Sequence, residues 1–160
     1  MRRHDVKVVV DYYYAIRGMT ALLEKEKREL EGKYNGLRAT SYGNPSGGGG
    51  YGRTTEDLAE RAEALRVSDR IDEIGVRICV LDTDHDKIRG CLDILKGEYK
   101  KLIELRYRSG YSWAIIAARM STTERTAKRW NDRALDRLAE ALADTPMAEE
   151  LVERAMRARD

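Results

Sequence analysis

Phenylalanine is absent from this chain of 160 residues, and proline, cysteine, histidine and tryptophan occur only twice each. With charged residues at 36%, little material remains for a thick globular core. Runs of β-branched residues are also nearly missing: Val8-Val9-Val10 is the one clear case. The apolar side chains are mostly Leu, Ile, Val, Ala and Met amid abundant Glu, Lys and Arg, a mixture that favours long amphipathic helices over sheets. An all-α fold is expected.

Other absences narrow the function. No apolar run approaches the roughly 20 residues that a membrane helix needs. Met1-Arg2-Arg3 leads into charged Asp5, Lys7 and Asp11 rather than an apolar segment, so no signal peptide is expected and a cytoplasmic location is. Cys79 and Cys91 fall on one predicted helix, on the order of 18 Å apart, which is beyond disulfide reach and suits packing roles. His4 and His85 have no nucleophile or carboxylate pair beside them in such a fold. No acid–base site, metal site or cofactor is therefore expected, and the chain does not read as an enzyme.

Charge is nearly balanced overall, at +2, but alternates along the chain. Lys and Arg outnumber Asp and Glu by 10 to 6 in residues 1–53, trail by 7 to 11 in 54–97, lead by 10 to 6 in 98–143 and trail by 3 to 5 in 144–160. Alternation of this kind suits a protein that touches phosphate with one part and protein with another.

Three regions are expected. Residues 1–97 read as a helical hairpin for oligomerisation or interaction. In its first arm, 5–37, Val9, Tyr12, Ile16, Met19, Leu23, Leu30 and Leu37 recur at the three-four steps of a heptad seam, and Gly36 offers a stop. The Gly/Ser-rich stretch 41–52 reads as a flexible connector; no Lys-Ser/Thr follows it to make a phosphate loop. A second arm over 55–95, with Thr55 as N-cap, carries Val67, Ile71, Ile74, Ile78, Leu81, His85, Ile88, Leu92 and Leu95 at the same steps. So narrow a seam requires a partner helix, and the first arm folded back antiparallel supplies one. The second arm is the longer, which leaves part of its seam for another subunit or for the C-terminal domain; a homo-oligomer, most simply a dimer, is expected. Within this arm Asp82-Thr-Asp-His-Asp-Lys87 has carboxylates at alternate positions, as a calcium loop does, but Lys87 stands where such a loop needs glycine.

Residues 98–143 carry the chemistry. An amphipathic helix over 98–108, with Leu102, Ile103 and Leu105 apolar, is broken by Ser109-Gly110. Ser112 caps a short helix, 113–120, whose apolar face is Trp113, Ile116, Ala117 and Met120. After the polar turn Ser121-Thr122-Thr123, Thr123 caps a third helix. Two helices joined by a turn of about three residues and packed on a preceding one form a tri-helical helix-turn-helix, whose last helix enters the DNA major groove by its N-terminal half. Ala127, Trp130, Ala134, Leu135 and Leu138 are expected to face the core, which leaves Thr123, Glu124, Arg125, Lys128, Arg129 and Asp132 outside. Arg125, Lys128 and Arg129 are the side-chain types that pair with guanine edges and phosphates. Glu124 either accepts from a cytosine amino group or only complements the positive helix end. Arg108, Ser112 and Arg133 are candidates for flanking phosphates. In residues 144–160 a last helix is expected, with Thr145 as cap, Pro146 at its first position and Leu151, Val152, Ala155 and Met156 as its apolar stripe.

The stretch from Leu105 to Leu138 resembles sigma-factor region four without a gap. Leu105, Tyr107, Gly110, Ser112, Ile116, Ala117, Thr126, Arg133, Ala134 and Leu135 agree with that pattern. Ser121 departs from it, standing where the family usually has the turn glycine, and Ala127 replaces a larger β-branched residue. Two long helices, a Gly-rich joint and a final helix-turn-helix make the whole chain similar to small phage late-transcription regulators of the ArpU/RinA type. The resemblance implies a regulator of phage or prophage origin in a bacterial host cell, binding double-stranded DNA, activating late genes and contacting RNA polymerase. Two other readings stay open. A DNA-packaging component such as a small terminase subunit also joins a helix-turn-helix to helical oligomerisation, and an interaction module would bind polymerase or a sigma factor without touching DNA.

Overall fold

The computed structural model describes residues 1–42 and 55–159, and these are helical with no strand among them. Among the described residues six α-helices follow one another: α1 (Arg3–Tyr42), α2 (Thr55–Leu92), α3 (Glu98–Ile103), α4 (Trp113–Arg119), α5 (Glu124–Ala143) and α6 (Ala148–Arg157), with a π-helical turn, Glu104–Arg108, directly after α3. The expected all-α architecture, with its long N-terminal helices and C-terminal helix-turn-helix, is what the chain adopts. No helix among the described residues is long and apolar enough to cross a membrane.

The chain divides into two compact units, one of residues 18–81 and one of residues 1–17 with 82–160. In the first unit, segments of α1 and α2 run antiparallel. Lys33 Nζ lies 2.6 Å from Glu63 Oε1, and Arg70 Nη2 lies 3.0 Å from Glu26 Oε1. Seven residues forward on one helix thus correspond to seven back on the other. Along these two segments Leu23, Val67, Ile74 and Leu81 are buried, while Met19, Leu30, Ile71 and Ile78 are half-buried. The two expected seams face inward.

Helix ends differ from the sequence reading for local reasons. Gly36 does not stop α1, which continues to Tyr42 and takes in the first two residues of the expected connector; residues 43–52 of that connector lie outside the described residues. A glycine ends a helix by adopting positive φ, and Gly36 does not. Thr55 is the first residue of α2 rather than its cap. At its other end α2 stops at Leu92, and tighter bonds from the Ile94 and Leu95 amides to the Cys91 and Leu92 carbonyls bring Leu95 into the core all the same. Gly97, at φ 57°, then turns the chain into α3. Of the two cysteines, Cys91 is buried as expected, whereas Cys79 is exposed.

In the second unit the core is built from Val6, Val9, Val10 and Ile16 of α1, Ile88 and Leu92 of α2, Leu102 and Ile103 of α3, Ile116 of α4, Leu135 and Leu138 of α5 and Leu151 of α6. The calcium-loop-like residues stay helical within α2. Their middle carboxylate, Asp84, is 1% exposed and binds Arg154 and Tyr12 instead. His85 is half-buried and stacks on Tyr13 at 4.8 Å between ring centroids. Thr145 does not cap α6: its hydroxyl donates to the Ala141 carbonyl at 3.1 Å, closing α5, and the residue before α6 is Met147 at φ 63°. Pro146 therefore precedes the helix rather than opening it.

Candidate nucleic-acid interface

The helix-turn-helix is assembled by short-range chemistry. After Leu102 and Ile103 the helix widens, and the Ser109 amide reaches back five residues to the Glu104 carbonyl at 3.1 Å. Gly110, at φ 67°, reverses the chain, and the Tyr111 amide closes the turn on the Leu105 carbonyl. Arg106 donates to the Tyr111 carbonyl at 2.9 Å, with its guanidinium 4.9 Å from the Trp113 ring centroid, and Arg119 lies 4.3 Å from that of Tyr111. Both are cation–π distances. The loop between the π-turn and α4 is thereby held at both ends. Expected as one helix, residues 98–108 form instead an α-helix followed by a π-turn, and Leu105 is only half-buried.

Ser112 caps α4 through a long bond, its hydroxyl accepting from the Ile115 amide at 3.5 Å. Ile116 and Ala117 are buried beneath; Trp113 and Met120 are half-buried. The turn that follows satisfies the open carbonyls of α4. The Thr122 amide reaches the Ala117 carbonyl at 2.9 Å and the Ser121 amide the Ala118 carbonyl at 3.3 Å. This is the Schellman pattern, in which the residue past the helix takes a left-handed conformation, and Ser121 does so at φ 51°. Thr123 then caps α5, its hydroxyl oxygen accepting from the Thr126 amide at 3.2 Å.

α5 packs on both α3 and α4. Ala127, Ala134, Leu135 and Leu138 are buried as expected, but Trp130 is half-buried and Asn131 takes the inner position at 3% exposure. Four residues separate Ala127 from Asn131 and another four reach Leu135, so the inward stripe runs through Asn131 and leaves Trp130 at its edge. Burial of the amide is supported by the Tyr107 hydroxyl, which donates to Asn131 Oδ1 at 3.5 Å. Spacing alone pointed to Asn131; its polarity concealed it.

Arg108, Ser112, Thr123, Glu124, Arg125, Lys128, Arg129 and Arg133 are all exposed. Glu124, Arg125, Lys128, Arg129 and Arg133 share the first three turns of α5, while Arg108 and Ser112 stand on either side of the loop before α4. Lys128 Nζ lies 3.5 Å from Glu124, one turn back, whereas Arg125, Arg129 and Arg133 have no ion pair among the described residues. The opposite face of the helix is fixed in the core, so its cations point away from the protein body.

One residue had no signal in the sequence. Arg3, in the first turn of α1, sets two N–H groups on the Asp136 carboxylate at 2.6 and 2.7 Å and lies 3.7 Å from Asp132. The Arg3 guanidinium holds the Asp136 carboxyl below its usual range, chiefly through these hydrogen bonds. On the outward side of α5, Arg125 and Arg129 of the first two turns are thus followed by Asp132 and Asp136, carboxylates engaged by a distant arginine.

The family model described as Sigma-70, region 4 matches residues 85–138, about a third of the chain. Neither a curated protein nor a solved structure matches. The matched stretch runs from the last turns of α2 through α3, the π-turn and α4 into α5, and it is a sigma-factor region-4-like helix-turn-helix.

Proposed function

We propose that this protein is a sequence-specific transcription regulator that binds double-stranded DNA through α5. One observation carries the reading: behind the Thr123 cap, Arg125, Lys128 and Arg129 are exposed on a helix whose other face is locked in the core. An immobilised helix with outward cations at its N-terminal half is what reading a major groove requires. Residues 98–143 serve as the DNA-binding domain. Arg125, Lys128 and Arg129 address base edges and adjacent phosphates; Arg108, Ser112, Thr123 and Arg133 hold the flanking backbone.

The finer reading is a late-gene activator of phage or prophage origin, acting as a homodimer and touching RNA polymerase through the N-terminal region, 1–97. Dimerisation draws support from residues 18–81, where Leu22, Leu58, Leu65 and Val76 remain exposed, Leu22 at 70% and Leu65 at 66%. Apolar side chains left in water along long helices favour association. The same residues suit a packaging subunit, and solution mass separates the two: a dimer supports regulation, a ring of about eight or more subunits supports packaging.

The deciding experiment is selection of the purified protein against a random duplex library, followed by binding measurements across a salt series. Enrichment of one motif, bound with an affinity that falls steeply with salt, is expected. Two-fold symmetry in that motif would establish the dimer as well. If no motif is enriched and no duplex binds at low salt, a protein-interaction role replaces this one.

A further inference from the structure

The geometry points to a DNA-contacting surface that continues from α5 onto the first two turns of α1, where Lys7 and Arg159 take backbone phosphates and Arg3 screens the carboxylates of α5. This inference rests on the reading that α5 enters a groove.

Its first support is the placement of α1. The bidentate bond from Arg3 to Asp136, with Asp132 beside it, fixes the start of α1 against the outward side of α5. Asp132 lies three residues after Arg129, and Asp136 lies four further on. At helical spacing, both stand on the face that carries Arg125 and Arg129. A duplex lying along that face would meet two negative charges just beyond the positive ones. Arg3 offsets them and leaves the stripe tolerable to phosphate.

The second support is a cleft of about 570 Å³ on the adjoining surface, lined by His4 and Lys7 of α1, Arg106 of the π-turn, Arg159 after α6 and the buried Asn131 of α5. Asp11 is the one carboxylate among its lining residues. Arg106 is occupied by the Tyr111 carbonyl and the Trp113 ring, but Lys7 and Arg159 are exposed with no ion pair among the described residues. Three elements distant in sequence therefore bring an excess of positive charge to the flank of α5. Phosphate backbone runs along the rim of any groove a helix has entered, so this flank is where it would lie.

The test uses the full chain and a duplex of about 30 base pairs, with affinity followed against salt; each phosphate-binding cation removed lowers the salt slope by about 1. Lys7→Ala with Arg159→Ala is expected to lower the slope by about 2 while leaving any sequence preference intact. Arg3→Ala is expected to weaken binding about tenfold, since a cation is lost and two carboxylates are uncovered. Adding Asp132→Asn and Asp136→Asn to that variant is expected to restore most of the loss, which a merely structural Arg3 would not allow. Circular dichroism and thermal melting confirm that each variant folds. If Arg125→Ala weakens binding but the Lys7/Arg159 pair changes neither affinity nor slope, this surface is wrong and α5 still binds. Should the double Asn change fail to rescue Arg3→Ala, screening by Arg3 is refuted; if the wild-type chain binds no duplex, both readings fall together.

Discussion

Arg154 grips Asp84 with two parallel hydrogen bonds, Nε to Oδ2 and Nη2 to Oδ1, each 2.8 Å long. Asp84 is almost wholly buried, and the Tyr12 hydroxyl donates to it as well, at 3.1 Å. Helices α1, α2 and α6 thus meet on one carboxylate. A buried, bidentate, fully hydrogen-bonded pair specifies how elements dock more than it adds to stability, because desolvation offsets much of the Coulombic gain. Losing one partner is another matter.

Asp84→Ala should therefore destabilise the protein by about 3 kcal/mol, by leaving the half-buried Arg154 guanidinium with only its long contact to Glu150, at 3.5 Å, and the Tyr12 hydroxyl without its acceptor. Combining Asp84→Leu with Arg154→Met and Tyr12→Phe should recover most of that loss, since an apolar cluster of similar volume carries no desolvation cost and strands no hydroxyl. Urea unfolding of the single and combined variants measures both. Equal losses for the two would show that the charge pair is itself the stabilising element.

The turn before α5 offers a gain. Ser121 holds φ 51° at the end of α4, a conformation that costs an L-residue on the order of 1 kcal/mol and glycine almost nothing. No side chain is needed there, since the Schellman bonds come from the backbone. Ser121→Gly should raise stability by about 0.5–1 kcal/mol, part of the strain relief being offset by the greater freedom of glycine when unfolded. Ser121→Val should lower it by more than 1 kcal/mol, as a β-branched side chain tolerates positive φ poorly. Thermal melting distinguishes these outcomes, and a lower melting temperature for the glycine variant would contradict the account.

Much of this architecture is legible in the sequence because it repeats locally. The seam of Val67, Ile71, Ile74 and Ile78 follows from helix periodicity, and the caps at Ser112 and Thr123 from residue type at a boundary. What escapes are relationships between residues far apart. Nothing near Arg3 announces Asp136, and nothing near Asp84, whose surroundings read as a failed calcium loop, announces Arg154. Apolar spacing also misplaces Trp130 and passes over Asn131, because a buried amide is tolerated only where a partner such as the Tyr107 hydroxyl is supplied by another element. The exposure of the α5 cations follows from the helix pattern; the charge screen beside them does not.

On α5 itself, Glu124 forms an ion pair with Lys128 one turn on, at 3.5 Å. A carboxylate turned toward its own lysine restrains that cation, so Glu124→Gln should strengthen binding to arbitrary duplex by a few-fold and leave sequence preference unchanged. Arg125→Ala, by contrast, should cost about 1–3 kcal/mol on a preferred site and relax the preference at one base pair. Competition between preferred and scrambled duplexes reads both. Relaxed preference in the Glu124 variant would mean that this carboxylate contacts a base.

Tyr14 contributes to the alkaline limit of stability. Its hydroxyl is pushed up from the usual 10 to about 12, first by burial and then by the negative charge of Glu104. A group whose folded pKa lies above its unfolded one binds its proton more tightly in the folded state. Its contribution is complete below about pH 10, declines as the pH rises and is gone once the folded pKa is passed. Burial raises Tyr12 and Tyr107 in the same direction. Unfolding free energy should accordingly fall from about pH 10 upward, and tyrosinate absorbance should lag behind that of the unfolded chain over the same range. Tyr14→Phe keeps the ring and removes the proton, so it should flatten part of the decline and leave stability near neutral pH within about 1 kcal/mol of wild type. A decline of unchanged steepness in that variant would assign the alkaline transition to other groups.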